Sequence, residues 1–483
     1  MVEKVDIVGR IYEQKLIRDY WNSGKSELVA VYGRRRVGKT FLVKKCFDEK
    51  FDFWFTGMYE TPRSVQLYQF SCELERYSGK KVGPLKSWLD AFNALRDYLL
   101  SLKKERLAVF LDELPWMDSP KSGFIAAFSN FWNMWPSSES KLKLFICGSA
   151  TTWMMNHIIG DKGGLYGRVC RPIYLPPFTL RETEQFLGDV KGIELGRYQV
   201  LEAYMVLGGI PYYLDMIEKG IPLDSCIDNL FFRIGAPLRD EYDFLFRSLF
   251  KESVLYRRIV ETLSKSLKGM TREQIRQSLK FGDGGRLTEA LDNLCQCDFI
   301  RRYSAIGKSG KDTMYQLCDL FSLYHLNFVM RSNGQDERFW SNMSGSGARR
   351  AWSGYAFEQV CLHHLRQVKE TLGISGILSN ACSWTCKGFV DADGTAWPGG
   401  QVDLVIDRND STIDLCEMKF CRDEFVIDAD YDKKLRERMS LFQKVTGTKK
   451  SVRQVFVTTY GVKTNSYSSI VQSQVTIDGL FRE

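Results

Sequence analysis

The run Gly33-Arg34-Arg35-Arg36-Val37-Gly38-Lys39-Thr40 decides how the N-terminal part of this chain folds. It fits the pattern GxxxxGK[ST], and its neighbours fit the mechanism behind that pattern. Upstream, SELVAVYG (Ser26 to Gly33) is a short apolar run ending at glycine. Downstream, TFLVKKCF is apolar at helical spacing, so the order is strand, turn, helix. Glycines in such a turn let backbone N–H groups face phosphate oxygens at a helix start, Lys39 reaches the β and γ phosphates, and the Thr40 hydroxyl ligates Mg²⁺. The expected nucleotide-contacting set is Gly33, Arg34, Arg35, Arg36, Val37, Gly38, Lys39, Thr40 and Phe41, with Lys39 also acting on the phosphate in catalysis.

Two further apolar runs, RLAVFLDE (Arg106 to Glu113) and KLKLFICGS (Lys141 to Ser149), are separated by helical stretches, which predicts an α/β unit with a parallel sheet covered on both faces. The first ends in Asp112 and Glu113. An acidic pair emerging from a buried strand is costly unless it serves a metal or a water. Asp112 would complete the Mg²⁺ shell, and Glu113 would orient and polarise the attacking water. Ser149, ending the second run, would sit between the two elements as a polar sensor of the γ phosphate.

The chain has 483 residues, enough for about three folding units. Its 44% hydrophobic and 26% charged content is that of a globular protein. Thirteen cysteines are an odd number without a paired CxxC framework, and with four histidines a zinc site is weakly supported, so reduced thiols in the cytoplasm are expected. The first residues, MVEKVDIVGRIYEQKL, have no uninterrupted apolar stretch, and no window reaches the ~18 apolar residues of a membrane span. No membrane partner is expected.

The net charge of +8 is unevenly spread. From Glu252 come three amphipathic helices, SVLYRRIVETLSKSL, TREQIRQSLK and RLTEALDNLCQCDFI. A segment alternating like a hairpin around Gly307 to Gly310 comes next, and together these describe a winged helix. Between Arg257 and Lys311 stand twelve Lys or Arg against six Asp or Glu. Arg286, Arg301 and Arg302 are the candidate contacts to DNA phosphates, although a winged helix can instead pack as a lid. From Arg350 onward the counts are equal, seventeen of each sign. The expected divisions are 1–180 for the nucleotide-binding core, 181–250 for a helical lid, 251–330 for the winged helix, 331–353 for a Gly-, Ser- and Asn-rich linker, and 354–483 for a C-terminal α/β domain.

That last domain carries a second constellation. Glu358 lies in the helical stretch GYAFEQVCLHHL, Asp403 in QVDLVID, and Glu417 and Lys419 in LCEMKF. Residues two apart on a strand share a face, and the turn at Arg408 to Ser411 folds the preceding strand alongside. A Mg²⁺ or Mn²⁺ between Asp403 and Glu417 would polarise a phosphodiester. Lys419 would position or deprotonate the attacking water and offset transition-state charge.

These residues carry two resemblances. Val8-Gly9-Arg10, YGRRRVGKT, LDELPWM, CGSATTWM, LYGRVCRPIYLPPF and VLGGIPYYL stand in the order seen in archaeal-type AAA-like P-loop ATPases, from about Val5 to Tyr213. This resemblance implies ATP, hydrolysis and nucleotide-driven switching. Arg168 matches an arginine of the family pattern. It would contact the γ phosphate, in its own subunit or in a neighbour within a homo-oligomer, or serve as a structural salt-bridge residue. Gly208, Gly209 and Pro211 match a lid turn. The Asp, spacer, Glu-x-Lys arrangement, with Glu358 as the helical acid, resembles the PD-(D/E)xK restriction-endonuclease-like superfamily over about Gly354 to Phe481. Together these imply an ATP-dependent, metal-dependent DNA endonuclease serving defence or DNA processing. The alternative is a regulatory ATPase switch whose nuclease-like domain only binds nucleic acid or a partner protein.

Overall fold

The computed structural model describes residues 7–483 except 137, 161–162, 170–171, 251, 283, 305 and 307–312. The expected turn at Gly307 to Gly310 and Val5, where the first resemblance starts, lie outside the described residues. The chain divides into two compact units, Met1–Pro177 and Phe178–Glu483. Among the described residues no helix is long and apolar enough to cross a membrane.

The first unit is built on five parallel strands, β1 (Glu27–Tyr32), β2 (Phe53–Thr56), β3 (Arg106–Asp112), β4 (Lys141–Gly148) and β5 (Ile173–Tyr174), in the order β2-β3-β4-β1-β5. β1, β3 and β4 are the three apolar runs read from the sequence, and almost every residue in them is buried. Parallel pairing aligns their carboxyl ends, so Tyr32 stands beside Gly148 and Leu111 beside Ile146. The phosphate loop, the acidic pair and Ser149 therefore emerge along one edge, where open α/β sheets place ligands. Phe53, Phe70, Trp88, Phe92, Phe124 and Phe128 fill one face of the sheet.

The second unit opens with helices between Leu180 and Leu249, the longest being Arg197–Leu207. Three helices come after them, Ser253–Leu263, Arg272–Leu279 and Gly285–Gln296, with β6 (Met270–Thr271), β7 (Ile300–Tyr303) and β8 (Met314–Leu317). The strands form an antiparallel sheet in the order β6-β8-β7, the element set of a winged helix.

Residues 331–353 are not the linker their composition suggests. A short helix forms at Phe339–Asn342, and Ser346 caps a second at Gly347–His363. Trp340 and Trp352 are buried against each other and against Tyr324 and Phe328. Arg349 donates to both carboxylate oxygens of Asp224, at 2.8 and 3.1 Å, and lies 4.0 Å from the Trp340 ring. Two tryptophans and a paired arginine anchor a segment that glycine and serine alone would leave loose.

After that helix comes a five-stranded mixed sheet, ordered β15-β14-β13-β12-β9. Its strands are β9 (Ser379–Cys386), β12 (Gly400–Arg408), β13 (Thr412–Lys419), β14 (Ser451–Thr458) and β15 (Val471–Val475). β10 (Phe389–Val390) and β11 (Ala396–Trp397) form a side hairpin. β12 runs antiparallel to β9 and β13, whereas β13, β14 and β15 are parallel. Helix Ala429–Thr446 makes the crossover from β13 to β14 and packs Leu441 and Phe442 on Val405, Ile413 and Leu415.

Candidate functional site

In the first unit, the phosphate loop takes its shape from three residues with positive φ: Gly33 (143°), Arg36 (71°) and Gly38 (90°), the last capping helix Lys39–Cys46. A Cβ on Gly33 would come within 2.3 Å of the Leu175 carbonyl oxygen, so nothing larger fits there. The N–H of Leu175 donates to the Tyr32 carbonyl at 2.8 Å, and the next carbonyl, Pro176, accepts from the Arg10 guanidinium at 2.7 Å. Lys39 is buried, its ammonium donating to the carbonyls of Gly33 (3.0 Å) and Arg34 (2.7 Å). Val37 and Arg34 are buried, Arg35 and Arg36 half-buried, and Phe41 is exposed.

Across the sheet edge, the Thr40 hydroxyl donates to the Asp112 carboxylate, 3.1 and 3.0 Å from its two oxygens. Burial, and then the neighbouring Glu113 charge, hold the Asp112 carboxyl above the usual range. Glu113 sits at φ 47°, and its carboxylate accepts from the Ser149 N–H (3.2 Å) and hydroxyl (2.9 Å). Ser149 thus fixes the acid expected to handle water. A hydroxyl beside a buried carboxylate is an all-oxygen donor set of the kind Mg²⁺ takes. Arg168 lies in an exposed turn just before Val169, which bridges to Leu28 of β1.

The second constellation lies wholly within the second unit. Leu404 pairs with Cys416, and one step further along the two strands sets Asp403 opposite Glu417. The β9–β12 register shifts between Val402 and Val405, and at this irregularity Asp403 is exposed, accepting from the Gln401 amide. Glu417 is already surrounded: Lys419 lies 2.7 Å from one oxygen, Arg438 2.8 Å from the other, and the Tyr431 hydroxyl donates to it. Burial pushes the Glu417 carboxyl up, but Lys419 and Arg438 outweigh it and hold it below its usual range. Burial likewise pulls the Lys419 ammonium down, and Glu417 overrides that, so Lys419 stays charged. A charged lysine positions water and offsets negative charge but does not take its proton.

Glu358, on helix Gly347–His363, makes no hydrogen bond or ion pair among the described residues. Burial, then Asp403 and Glu417, push its carboxyl up to about 8 against the pull of Lys419 and Arg301. Among the described residues no group of three or more His, Cys, Asp or Glu is arranged to hold a metal. Of the expected metal pair, Asp403 is open whereas Glu417 is occupied. The carboxyl whose burial Lys419 and Arg301 do not outweigh is Glu358.

A folded-state pKa near 8 against an ordinary 4.5 means that folding retains a proton the unfolded chain releases in that window. Stability from this group is present below pH 4.5 and lost as pH rises through 8. Glu358→Gln is expected to remove this loss and to stabilise the second unit at pH 9 by on the order of 3 kcal/mol, with little change at pH 4. Urea unfolding at both pH values reads it. Parallel curves for the two proteins would contradict it.

Tyr431 and Arg438 were not singled out in the sequence, although seven residues apart on one helix is the spacing that puts two side chains on one face. Of the candidate DNA-contacting arginines, Arg286 pairs with Glu252, Arg302 lies 3.5 Å from Asp292, and Arg301 bonds Gln316 at 2.9 Å. Arg301 and Arg302 also line a cleft of about 620 Å³ into which Glu358 and Asp403 open.

Residues 8–217 match the model of an ATPase domain predominantly from Archaea. A Methanocaldococcus jannaschii protein is 25% identical over 370 residues, spanning 75% of this chain and 78% of that protein. An uncharacterized ATP-binding protein of the same organism is 46% identical over 46 residues, 10% of this chain and 78% of its own length. Among solved structures, a Walker-type ATPase of Pyrococcus abyssi is 18% identical, covering 66% of this chain and 96% of its own, with a TM-score of 0.46. With its phosphate loop, acidic strand end and parallel sheet, the chain belongs through residues 8–217 to the family of ATPase domains found predominantly in Archaea.

Proposed function

We propose that ATP hydrolysis in this chain governs metal-dependent cleavage of DNA by its C-terminal domain, residues 354–483. The observation that carries the cleavage reading is that Glu358 and Asp403 open into one basic cleft beside the Glu417 and Lys419 pair. At the nucleotide site, Gly33 to Phe41 would hold ATP, Thr40 and Asp112 would hold Mg²⁺, and Glu113, fixed by Ser149, would orient water. Arg168 would reach the γ phosphate in its own or a neighbouring subunit. At the second site Asp403 and Glu358 would hold Mg²⁺ or Mn²⁺, an ion that polarises a phosphodiester when bound. Lys419 would offset the charge developing on phosphate, with Glu417 keeping it protonated and Arg438 and Tyr431 keeping Glu417 in place.

One observation favours a second reading, a regulatory ATPase whose C-terminal domain binds nucleic acid or a partner protein without cutting. Both Glu417 oxygens are engaged by Lys419, Tyr431 and Arg438. Incubating the full chain with single-stranded, duplex and branched DNA, Mg²⁺ or Mn²⁺, and with or without ATP separates the two. Metal-dependent cutting that responds to ATP supports the first. DNA binding with no cutting under any condition supports the second.

A further inference from the structure

The cleft holding Glu358 and Asp403 continues into a second hollow, and we propose that the two together seat an unpaired DNA strand and lead it to those carboxylates. This rests on the cleavage reading and names the substrate class of the same site. The first cleft, about 620 Å³, lies between the winged-helix sheet and β9, the edge strand of the C-terminal sheet. The second, about 600 Å³, shares Arg302, Tyr303, Ala381 and Cys382 with it and extends along β9 to Asn380. The N–H of Ile306 donates to the Ser383 carbonyl at 3.0 Å, tying one wall to the other.

Size selects the occupant. Each hollow has the volume of a pocket for a small organic ligand, room for a nucleotide or two, whereas a duplex presents a major groove about 12 Å wide before its strands are counted. Charge selects it too. Asp403, and Glu358 once it is ionised, would repel a phosphodiester, and the cleft answers with Lys268, Arg301, Arg302 and Lys387. Lys268 and Lys387 are exposed and have no ion-pair partner among the described residues. Since the C-terminal domain balances its own charges, most of this attraction comes from the winged helix across the cleft.

Two further groups suit an unstacked base. Tyr303 lines both hollows, its ring held by a hydroxyl bond to the Lys268 carbonyl at 2.5 Å, as a stacking platform requires. Gln359 also lines the first cleft. It is 0% exposed, and neither its amide oxygen nor its nitrogen has a hydrogen-bond partner among the described residues. A buried amide with both ends unpaired is rare and suits the edge of a base or a backbone oxygen.

The test is fluorescence anisotropy on the full chain in EDTA, with labelled dT20, its duplex with dA20, and rU20. The expected result is at least ~10-fold tighter binding to dT20 than to the duplex. In Lys268→Ala/Arg302→Ala/Lys387→Ala that binding should fall at least ~10-fold and the salt slope by about two. Equal affinity for duplex, an unchanged triple variant, or ~10-fold tighter binding to rU20 than to dT20 would overturn the proposal. Photocrosslinking of iodouracil-substituted DNA to the unaltered protein covers the case of a misfolded variant. Adducts should map to residues 266–274, 301–304 or 379–387, and adducts only elsewhere count against the cleft. Single-strand binding lost in the triple variant, with no cutting by the parent protein in Mg²⁺ or Mn²⁺, keeps the cleft and removes the nuclease. Duplex cutting untouched by the triple variant does the reverse.

Discussion

Lys39→Ala is expected to lower ATP turnover at least ~100-fold while leaving the first unit folded. The ammonium lies inside the loop on the carbonyls of Gly33 and Arg34, at the head of helix Lys39–Cys46, whose first N–H groups would face the phosphates of a bound nucleotide. Removing it deprives the β and γ phosphates of their point charge and leaves two carbonyls without that donor, a stability cost of about 1–2 kcal/mol. Phosphate release measured beside a thermal melt distinguishes lost chemistry from lost fold. Turnover near the parent rate in a folded variant would remove Lys39 from the mechanism. A variant that cannot fold would show instead that the lysine is chiefly a strut for the loop.

The second large effect concerns Asp403. Its side chain is exposed at an irregular point of β12 and among the described residues bonds only the nearby Gln401, so Asp403→Ala should cost less than ~0.5 kcal/mol of stability. Cleavage of DNA in Mg²⁺ is expected to fall by ~1,000-fold or more, because the variant removes the carboxylate that stands both opposite Glu417 and beside Glu358. The contrast between a neutral stability change and a lost activity is the informative part. A variant that cuts at the parent rate would show that the carboxylates are not the reacting centre. Binding of dT20 in EDTA should survive, since the cations and Tyr303 remain.

Much of the first unit was legible because a doubly covered parallel strand has to be apolar on both faces. SELVAVYG, RLAVFLDE and KLKLFICGS therefore announced themselves, and the phosphate-loop pattern identified the turn and helix after the first of them. β2 and β5 were not legible, because four and two residues carry too little pattern. In the C-terminal domain the two-residue period put Glu417 and Lys419 on one face, and the hairpin brought Asp403 next to them. The register shift in β12 had no signature. Nor could pairwise spacing show that Arg438 and Tyr431 would occupy Glu417 and leave Glu358 as the uncompensated acid. The segment 331–353 misleads through its Gly, Ser and Asn content, although Trp340, Arg349 and Trp352 were there to argue for a packed structure. The winged-helix charge was visible as a sum, but its direction was not: Arg286 meets Glu252 and Arg302 lies near Asp292, while Arg301 and Arg302 both line the wall facing Glu358 and Asp403.

The close approach of Gly33 to Leu175 has a mechanical consequence. Gly33 begins the phosphate loop, and Leu175 stands two residues before the boundary at which the first unit ends. Leu175 is bonded to Tyr32 and Pro176 to Arg10, so the residues after β5 are fastened to the end of β1 on one side and to the N-terminal segment on the other. The space between Gly33 and Leu175 is too small for even a methyl group, so the loop has no room to move toward Leu175 at this point. The last residues of the first unit thus act as a backstop against which the first glycine of the phosphate loop is seated.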